Sequence, residues 1–479
     1  MNKLFYGLMV TLLSNQIFAD TSESTPAVVN TNDTYINRNA YLQNPWITST
    51  SAGGTQNVSE SQTINQNFAE KLFTDGTWNF FGTASAQYTG AGAGYPSYAY
   101  GGSVFAQTGQ VAGFSFGGVF EIINPFFVNN LNGYNANMSP FLPSNEQVTT
   151  AEAFVEYQYS NIVQVDAGLI GINNSPWLSL NYYNNMMSVP ASYQGVLLNV
   201  DPGAGWLLTA LAFNGAQGIS ETGFTNLTWY NKGYDYSGGS IANNTTSETS
   251  NGTVSLGANY VAWNNQYNLR LWAYEFENYG ELFYVDNSIK FKPTANLAFN
   301  IAAQGGTNNN GILGAADGTN AFTNAGLGQI SSNFAGLQTG LSYQWFSINF
   351  GYNNVWGNQN AYGSGAIVTP YTYGMATDPL YTTPYMAGLA DLGTAGTAYK
   401  ISPSFNFLDN NLSIAPAFTT FNTAVAEWNG TNEYDFLVTY SIPQIKGLTI
   451  FGVYAYQQVP QVNTSGNTYI TQLFLSYLY

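Results

Sequence analysis

The sequence contains neither cysteine nor histidine. These absences exclude disulfide frameworks, thiolate nucleophiles, imidazole bases and Cys/His metal sites. Membrane-barrel hydrolases that act through a histidine are excluded with them. Paired carboxylates can carry out glycosidase chemistry, but nothing else in the composition supports that activity. We therefore expect no enzyme, no metal site and no cofactor.

Charged residues are also scarce, at 7% of the chain against about 25% in typical globular proteins. The 26 acidic residues outnumber the 9 basic ones and give a net charge of −17, which repels nucleic acid. In contrast, glycine (50 residues), tyrosine (36) and phenylalanine (31) are abundant. This composition disfavours ordinary soluble domains and excludes nucleic acid as an expected partner.

Long hydrophobic runs are missing as well. The N-terminus has Lys3, a short apolar segment Leu4–Leu13 and Ala19 before Asp20, the pattern of a cleaved signal peptide spanning residues 1–19. A membrane-spanning helix would need about 20 mostly apolar residues, more than this segment provides. We expect an exported protein.

Two regions follow the predicted signal peptide. Residues 20–76 are rich in Ser, Thr and Asn, and we interpret them as a polar periplasmic arm; a small ordered element is the alternative. Residues 77–479 contain repeated segments of roughly ten residues in which apolar and polar side chains alternate, as in membrane-spanning strands. Among the predicted strands are 253–262 and 267–276.

The predicted strands number about eighteen, and short connections alternate with mostly longer ones. An even strand count, short periplasmic turns and long extracellular loops are typical of an outer-membrane barrel, and closure leaves no unpaired edge. A soluble sandwich would require a very large core to bury so many strands. The sequence therefore predicts an all-β, transmembrane, antiparallel β-barrel.

Charged side chains on the polar face of these strands are candidates for lining a pore. A lysine in mid-membrane lipid costs about 2–4 kcal/mol, which favours a lumen or rim position. Alternation selects Glu152, Glu156, Asp166, Arg270, Asp286, Lys290 and Lys292. The three acids of 152–166 are expected to face the three basic residues across the channel and to orient polar solutes. The alternative is that all are solvated wall residues at no special height.

Three stretches resemble the OprD family of outer-membrane porins, which are usually eighteen-stranded channels for small solutes. They are VDAGLIGINNSPWLSLNYYNNMMSVPASYQGVLLNV (165–200), LRLWAYEFENYGELFYVDNSIKF (269–291) and DPLYTTPYMAGLADLGTAGTAYKISPSF (378–405). In the first, Pro190 precedes an aromatic-Gln-Gly step at 193–195, as in the family. Members that carry carboxylates line the lumen with arginines, whereas this chain has only Arg38 and Arg270. The resemblance therefore implies the fold but not carboxylate specificity.

The resemblance also implies a third loop that folds inward and narrows the channel. Its candidate constriction residues are Tyr182, Tyr183, Met186 and Met187. An outer loop packed on its neighbours is the alternative.

The chain ends on TYITQLFLSYLY, an alternating segment with an aromatic last residue. We interpret it as the closing strand, with Gln472 and Ser476 facing the pore. The lipid-facing residues, which also form a candidate signal for the outer-membrane insertion machinery, are Leu473, Leu475, Tyr477 and Tyr479.

The sequence thus predicts a porin in a Gram-negative outer membrane that passes small polar solutes and has a weak preference for cations. Its expected partners are these solutes or cations, outer-membrane lipid and the insertion machinery. The alternative is a surface adhesin or receptor that uses long extracellular loops.

Overall fold

The computed structural model describes most of the predicted barrel region, with gaps in several connections. The described residues are 76–90, 96–125, 146–172, 174–178, 192–217, 222–226, 228, 249–263, 265–311, 328–371, 378–386, 388–460 and 467–478. The predicted signal peptide, nearly all of the predicted arm, the four constriction candidates at 182–187 and Tyr479 lie outside these ranges. Within the ranges, no helix has both the length and the apolar character needed to cross a bilayer.

The described residues form eighteen strands and two short 3₁₀ turns, at 362–364 and 426–428. The strands are β1 (Thr77–Gly90), β2 (Pro96–Gln107), β3 (Phe114–Pro125), β4 (Gln147–Tyr159), β5 (Val163–Ile170), β6 (Ser192–Gly203), β7 (Trp206–Gln217), β8 (Thr253–Ala262), β9 (Tyr267–Phe276), β10 (Gly280–Thr294), β11 (Leu297–Asn309), β12 (Ser331–Tyr343), β13 (Phe346–Gly357), β14 (Gly396–Phe407), β15 (Leu412–Thr423), β16 (Asn432–Ser441), β17 (Leu448–Gln458) and β18 (Thr468–Leu478).

Every strand pairs antiparallel with its sequence neighbours, and β18 pairs with β1 to close the sheet. At the seam, Thr83 is opposite Ser476, and their hydroxyl oxygens are 3.3 Å apart. Closure gives every strand two partners and leaves no exposed edge. The predicted all-β antiparallel barrel of eighteen strands is confirmed.

The connections alternate in length around the barrel. Ala204 and Gly205 alone join β6 to β7, and both have positive φ, 55° and 85°, as a two-residue type I′ hairpin requires. The connection from β13 to β14, in contrast, spans residues 358–395. We call the two rims the short-turn end and the long-loop end. In outer-membrane barrels these face the periplasm and the exterior, respectively.

The outer face of the barrel is apolar across its middle. Side chains exposed there include Val104, Phe120, Leu256, Ile301, Leu337, Phe350, Leu473 and Leu475. Exposed aromatic residues ring the short-turn end at Trp78, Tyr159, Trp263, Tyr343 and Trp345, and the long-loop end at Tyr100, Trp356, Tyr399, Tyr434 and Tyr454. An apolar band between two aromatic girdles is the surface of a barrel embedded in lipid.

The inner face carries the opposite chemistry, because side chains alternate along each strand. On β18, Gln472 and Ser476 are buried inside, while Leu473 and Leu475 are exposed outside. Buried aromatic residues also occur inside the barrel, where Trp177 and Tyr371, which lie in connections, pack against strand residues. The interior therefore combines a polar wall with inward-folded connections.

Candidate functional site

Four acidic side chains lie on the inner face of three neighbouring strands. Glu121 of β3, Glu152 and Glu156 of β4 and Asp166 of β5 are each at most 7% exposed. Glu156 is directly opposite Asp166 in the sheet, and Glu121 interacts electrostatically with Glu152. We call these four residues the acidic column.

Neutral polar side chains hydrogen-bond to two carboxylates of the acidic column, those of Glu156 and Asp166. Glu156 accepts hydrogen bonds from the Gln107 amide at 3.1 Å and from the Ser115 hydroxyl at 3.3 Å. The amide of Gln164 donates to both Glu156 (2.9 Å) and Asp166 (3.1 Å). These contacts fix the direction of the Glu156 and Asp166 carboxylates. The wall formed by β3–β5 therefore presents four acidic side chains on its inner face.

Arg270 and Asp286 form a second charged site, on β9 and β10. The two residues are opposite each other in the sheet. Arg270 Nε donates to Asp286 Oδ1 at 2.9 Å and to Oδ2 at 3.1 Å, and Nη2 also donates to Oδ2. The Arg270 side chain remains 40% exposed, whereas that of Asp286 is 10% exposed. This is a bidentate ion pair in which the arginine side chain remains partly exposed.

The connection after β5 reaches across the interior. The hydroxyls of Ser175 and Tyr274 (on β9) are hydrogen-bonded at 2.8 Å. The fully buried Trp177 ring packs edge-on against Tyr284 of β10 (6.2 Å between centroids) and Phe334 of β12 (6.0 Å). Because β5 is not a neighbour of β9, β10 or β12, the 174–178 segment lies across the lumen.

The 378–386 segment, in the connection between β13 and β14, also crosses the interior. The Thr382 backbone N–H donates to Asn353 Oδ1 of β13 at 3.0 Å. The Tyr385 backbone N–H donates to Asp435 Oδ2 of β16 at 3.1 Å, and its hydroxyl donates to Gln472 Oε1 of β18 at 2.5 Å. Burial, with the carboxylates of Asp435 and Glu433 nearby, raises the pKa of the Tyr385 hydroxyl. The segment is thus held by side chains of three strands, β13, β16 and β18.

Lys400 of β14 binds the same segment from the wall. Its Nζ donates to the Thr383 carbonyl oxygen at 2.6 Å. Asp435 and Glu433 of β16 interact electrostatically with Lys400, and Glu433 accepts a hydrogen bond from the Met386 backbone N–H. This cation is therefore committed to holding the segment.

The aromatic residue Tyr371 anchors another part of the same connection. Its ring lies 5.8 Å from that of Tyr193, 5.4 Å from that of Phe213 and 6.4 Å from that of Phe276. Burial raises the pKa of Tyr371 to about 12. The connection thus contacts β6, β7 and β9 as well as β13, β16 and β18.

The positions of the remaining predicted pore residues differ along β10. Asp286 is buried on the inner face, Lys290 is half-buried, and Lys292 is exposed near the short-turn end. Arg270 is paired with Asp286 of the adjacent strand rather than with an acid of the acidic column. On β18, Tyr477 is half-buried.

Sequence reasoning missed four inner-face residues, and each had a detectable signal. Glu433 and Asp435 alternate with the exposed Tyr434 and Phe436, and Lys400 lies between the exposed Tyr399 and Ile401. For Glu121, the signal is the charge of the surrounding sequence, because no basic residue occurs between Lys71 and Lys232.

Comparisons with known proteins bear on the fold. No protein-family model matches the chain, and no curated protein sequence matches it. Solved porin structures do match it. OccAB2 of Acinetobacter baumannii has a TM-score of 0.68 at 14% identity, covering 85% of this chain and 99% of its own.

Two Pseudomonas aeruginosa structures contain small solutes. OpdK with vanillate has a TM-score of 0.65 at 12% identity, covering 85% of this chain and 99% of its own. OccK2 (OpdF) with glucuronate has a TM-score of 0.64 at 12% identity, covering 85% and 97%. The resemblance to OprD-type porins is thereby confirmed for the fold.

Proposed function

We propose that the protein is a porin of a Gram-negative outer membrane, through which small hydrophilic solutes diffuse passively, with a weak preference for cations. The observation that carries the proposal is the acidic column on the inner face of β3–β5. A lipid-facing exterior and a closed barrel with a porin fold support the membrane location. Vanillate and glucuronate in two structures of that fold support small polar solutes as the permeating class.

Charge distribution supports the cation preference. Residues 72–231, which contain β1–β7, include eight acidic residues and no basic one. Of the inner-face cations, Arg270 is paired with Asp286 and Lys400 holds the 378–386 segment. A lumen wall of one sign raises the local concentration of counter-ions. Cations therefore gain more than anions along the β3–β5 wall.

The proposed activity requires no chemical step. Passive diffusion through a water-filled barrel depends on the charge and size of the constriction, and the side chains that line it set the selectivity. We therefore assign the acidic column to ion selectivity, and the 174–178 and 378–386 segments to narrowing the lumen.

Planar-bilayer recording in a potassium chloride gradient tests the proposal. The wild-type protein is expected to give ohmic single-channel steps and a cation-selective reversal potential. E156Q removes one charge from the acidic column and should shift that potential toward zero. D409N removes the same charge from an exposed turn and should leave it unchanged.

The outcomes separate the two parts of the proposal. If folded, heat-modifiable protein gives no conductance, the porin proposal is refuted. Conductance with an anion-selective reversal potential would refute only the cation preference.

A further inference from the structure

Asp286 occupies the edge of the Arg270 guanidinium with which arginine commonly binds carboxylates. Arg270 is the only arginine in residues 77–479. Its Nε and Nη2 both donate to Asp286, and parallel N–H donors of this kind are the geometry with which arginine binds a carboxylate in two-point fashion. The protein's own side chain therefore fills the position that a solute carboxylate would take.

A network of hydrogen bonds holds Asp286 in that position. The Tyr284 hydroxyl donates to Asp286 Oδ2 at 2.9 Å. The Gln304 side-chain amide nitrogen lies 3.1 Å from the Tyr284 oxygen and 3.1 Å from the Pro379 carbonyl oxygen, and the Gln304 oxygen accepts from the Tyr381 backbone N–H at 2.9 Å. Asp286 is thus linked through two side chains to the inward-folded connection. It cannot turn away from Arg270 without breaking this network.

We propose that Asp286 determines solute specificity by masking Arg270, so that carboxylate-bearing solutes pass without being retained. The proposal rests on the porin function inferred above and deepens it. The Arg270 side chain is 40% exposed, so solutes can still reach it, but its positive charge is balanced at a separation of one hydrogen bond. Neutral acceptors can bind to such a pair, whereas an anion gains little.

Electrostatics explains why the mask matters for specificity. A carboxylate that approaches Arg270 also approaches the negative charge of Asp286, and the repulsion between the two like charges opposes binding. Removal of the Asp286 charge would leave the one arginine of the barrel unbalanced. The structure therefore contains a latent site for monocarboxylates.

Current block by benzoate in planar bilayers tests the mask. D286N keeps the size of the side chain and an oxygen acceptor for Arg270 Nε but removes the charge. We expect D286N to show saturable block at a half-blocking concentration at least five-fold below that of wild type. E156Q makes the same charge change on β4 and is expected to shift the reversal potential without creating saturable block.

A double variant identifies the source of the block. In R270Q/D286N both partners are neutral amides, and the block created by D286N should disappear. If D286N alone fails to assemble, the double variant still tests the proposal. Because Asp286 already masks Arg270 in the wild type, the double variant should have a benzoate sensitivity within two-fold of wild type. A five-fold loss of sensitivity would mean that Arg270 already binds carboxylates despite Asp286, and would overturn the proposal.

Failure of this inference is distinct from failure of the porin proposal. If the wild-type protein gives no conductance, the porin proposal fails. If the wild type conducts and benzoate does not block an assembled D286N variant, only the masking proposal fails.

Discussion

The hydroxyl of Tyr385 donates to Gln472 Oε1 at 2.5 Å and so joins the 378–386 segment to the closing strand β18. The amide nitrogen of Gln472 in turn donates to Gln87 Oε1 of β1 at 2.6 Å. One line of hydrogen bonds therefore runs from an inward-folded connection across the seam of the barrel. Gln472 therefore contributes both to holding the 378–386 segment and to the contact between β18 and β1.

Tyr385→Phe removes this bond and keeps the ring. Removing the donor from the buried Gln472 acceptor costs about 1–3 kcal/mol, so the segment should loosen while the barrel remains closed through its backbone pairing. We expect larger conductance fluctuations in single-channel records and unchanged heat-modifiability on gels. Tyr399→Phe, on the exposed outer face, is the matched control; equal noise in both variants would contradict the assignment.

Trp177→Ala removes the fully buried ring that packs on Tyr284 and Phe334. A buried Trp→Ala change typically costs about 3–5 kcal/mol, more than a short segment can lose and stay docked. We expect an increased mean single-channel conductance. The control is Trp345→Ala, in the short-turn girdle, which should alter membrane insertion instead of conductance. An unchanged conductance in Trp177→Ala would show that the 174–178 segment does not narrow the lumen.

High pH should release the connection that contains Tyr371. A solvated tyrosine has a pKa of about 10, whereas burial raises the pKa of Tyr371 to about 12. Between these values the released form binds fewer protons, so docking weakens as pH rises from about 10 to 12 and is at full strength below that window. Conductance measured from pH 8 to 12 should rise in this window.

Tyr371→Phe tests the origin of that rise, because it keeps the ring and has no proton to lose. The pH-dependent increase should be smaller in this variant than in wild type. Identical profiles would assign the effect to other tyrosines.

The C-terminal residue Tyr479 lies outside the described residues, and its predicted role rests on the sequence pattern of β18. Deletion of Tyr479 should reduce the amount of assembled, heat-modifiable barrel in the outer membrane before it changes conductance. The chains that do assemble should conduct as wild type. Normal assembly of the truncated chain would count against an insertion signal at this end.

The strands were predictable because alternation is a local property of the sequence. Residues 253–262 and 267–276 were predicted with the ends that β8 and β9 have in the structure. The same pattern indicated that Glu152 and Glu156 share a face opposite Val155, which is exposed on the outside. Period-two alternation and turn lengths together determined the fold class.

The partners of individual inner-face side chains were not predictable from such patterns. Pairing of Arg270 with Asp286 depends on the register between β9 and β10, where a slip of one residue would place either side chain on the other face. The 378–386 segment has no periodicity, because backbone N–H groups within it donate to side chains of two different strands, β13 and β16. Sequence alone gives the polarity of a wall residue but not its partner.

The inward-folded segments also tie together parts of the wall that lie far apart in the sheet. Trp177 meets Phe334, and Tyr385 meets Gln472, only when distant parts of the wall have come into position. A barrel of eighteen strands can deform in cross-section, and these internal contacts oppose such deformation. The width of the lumen therefore depends on these internal contacts as well as on the number of strands in the wall.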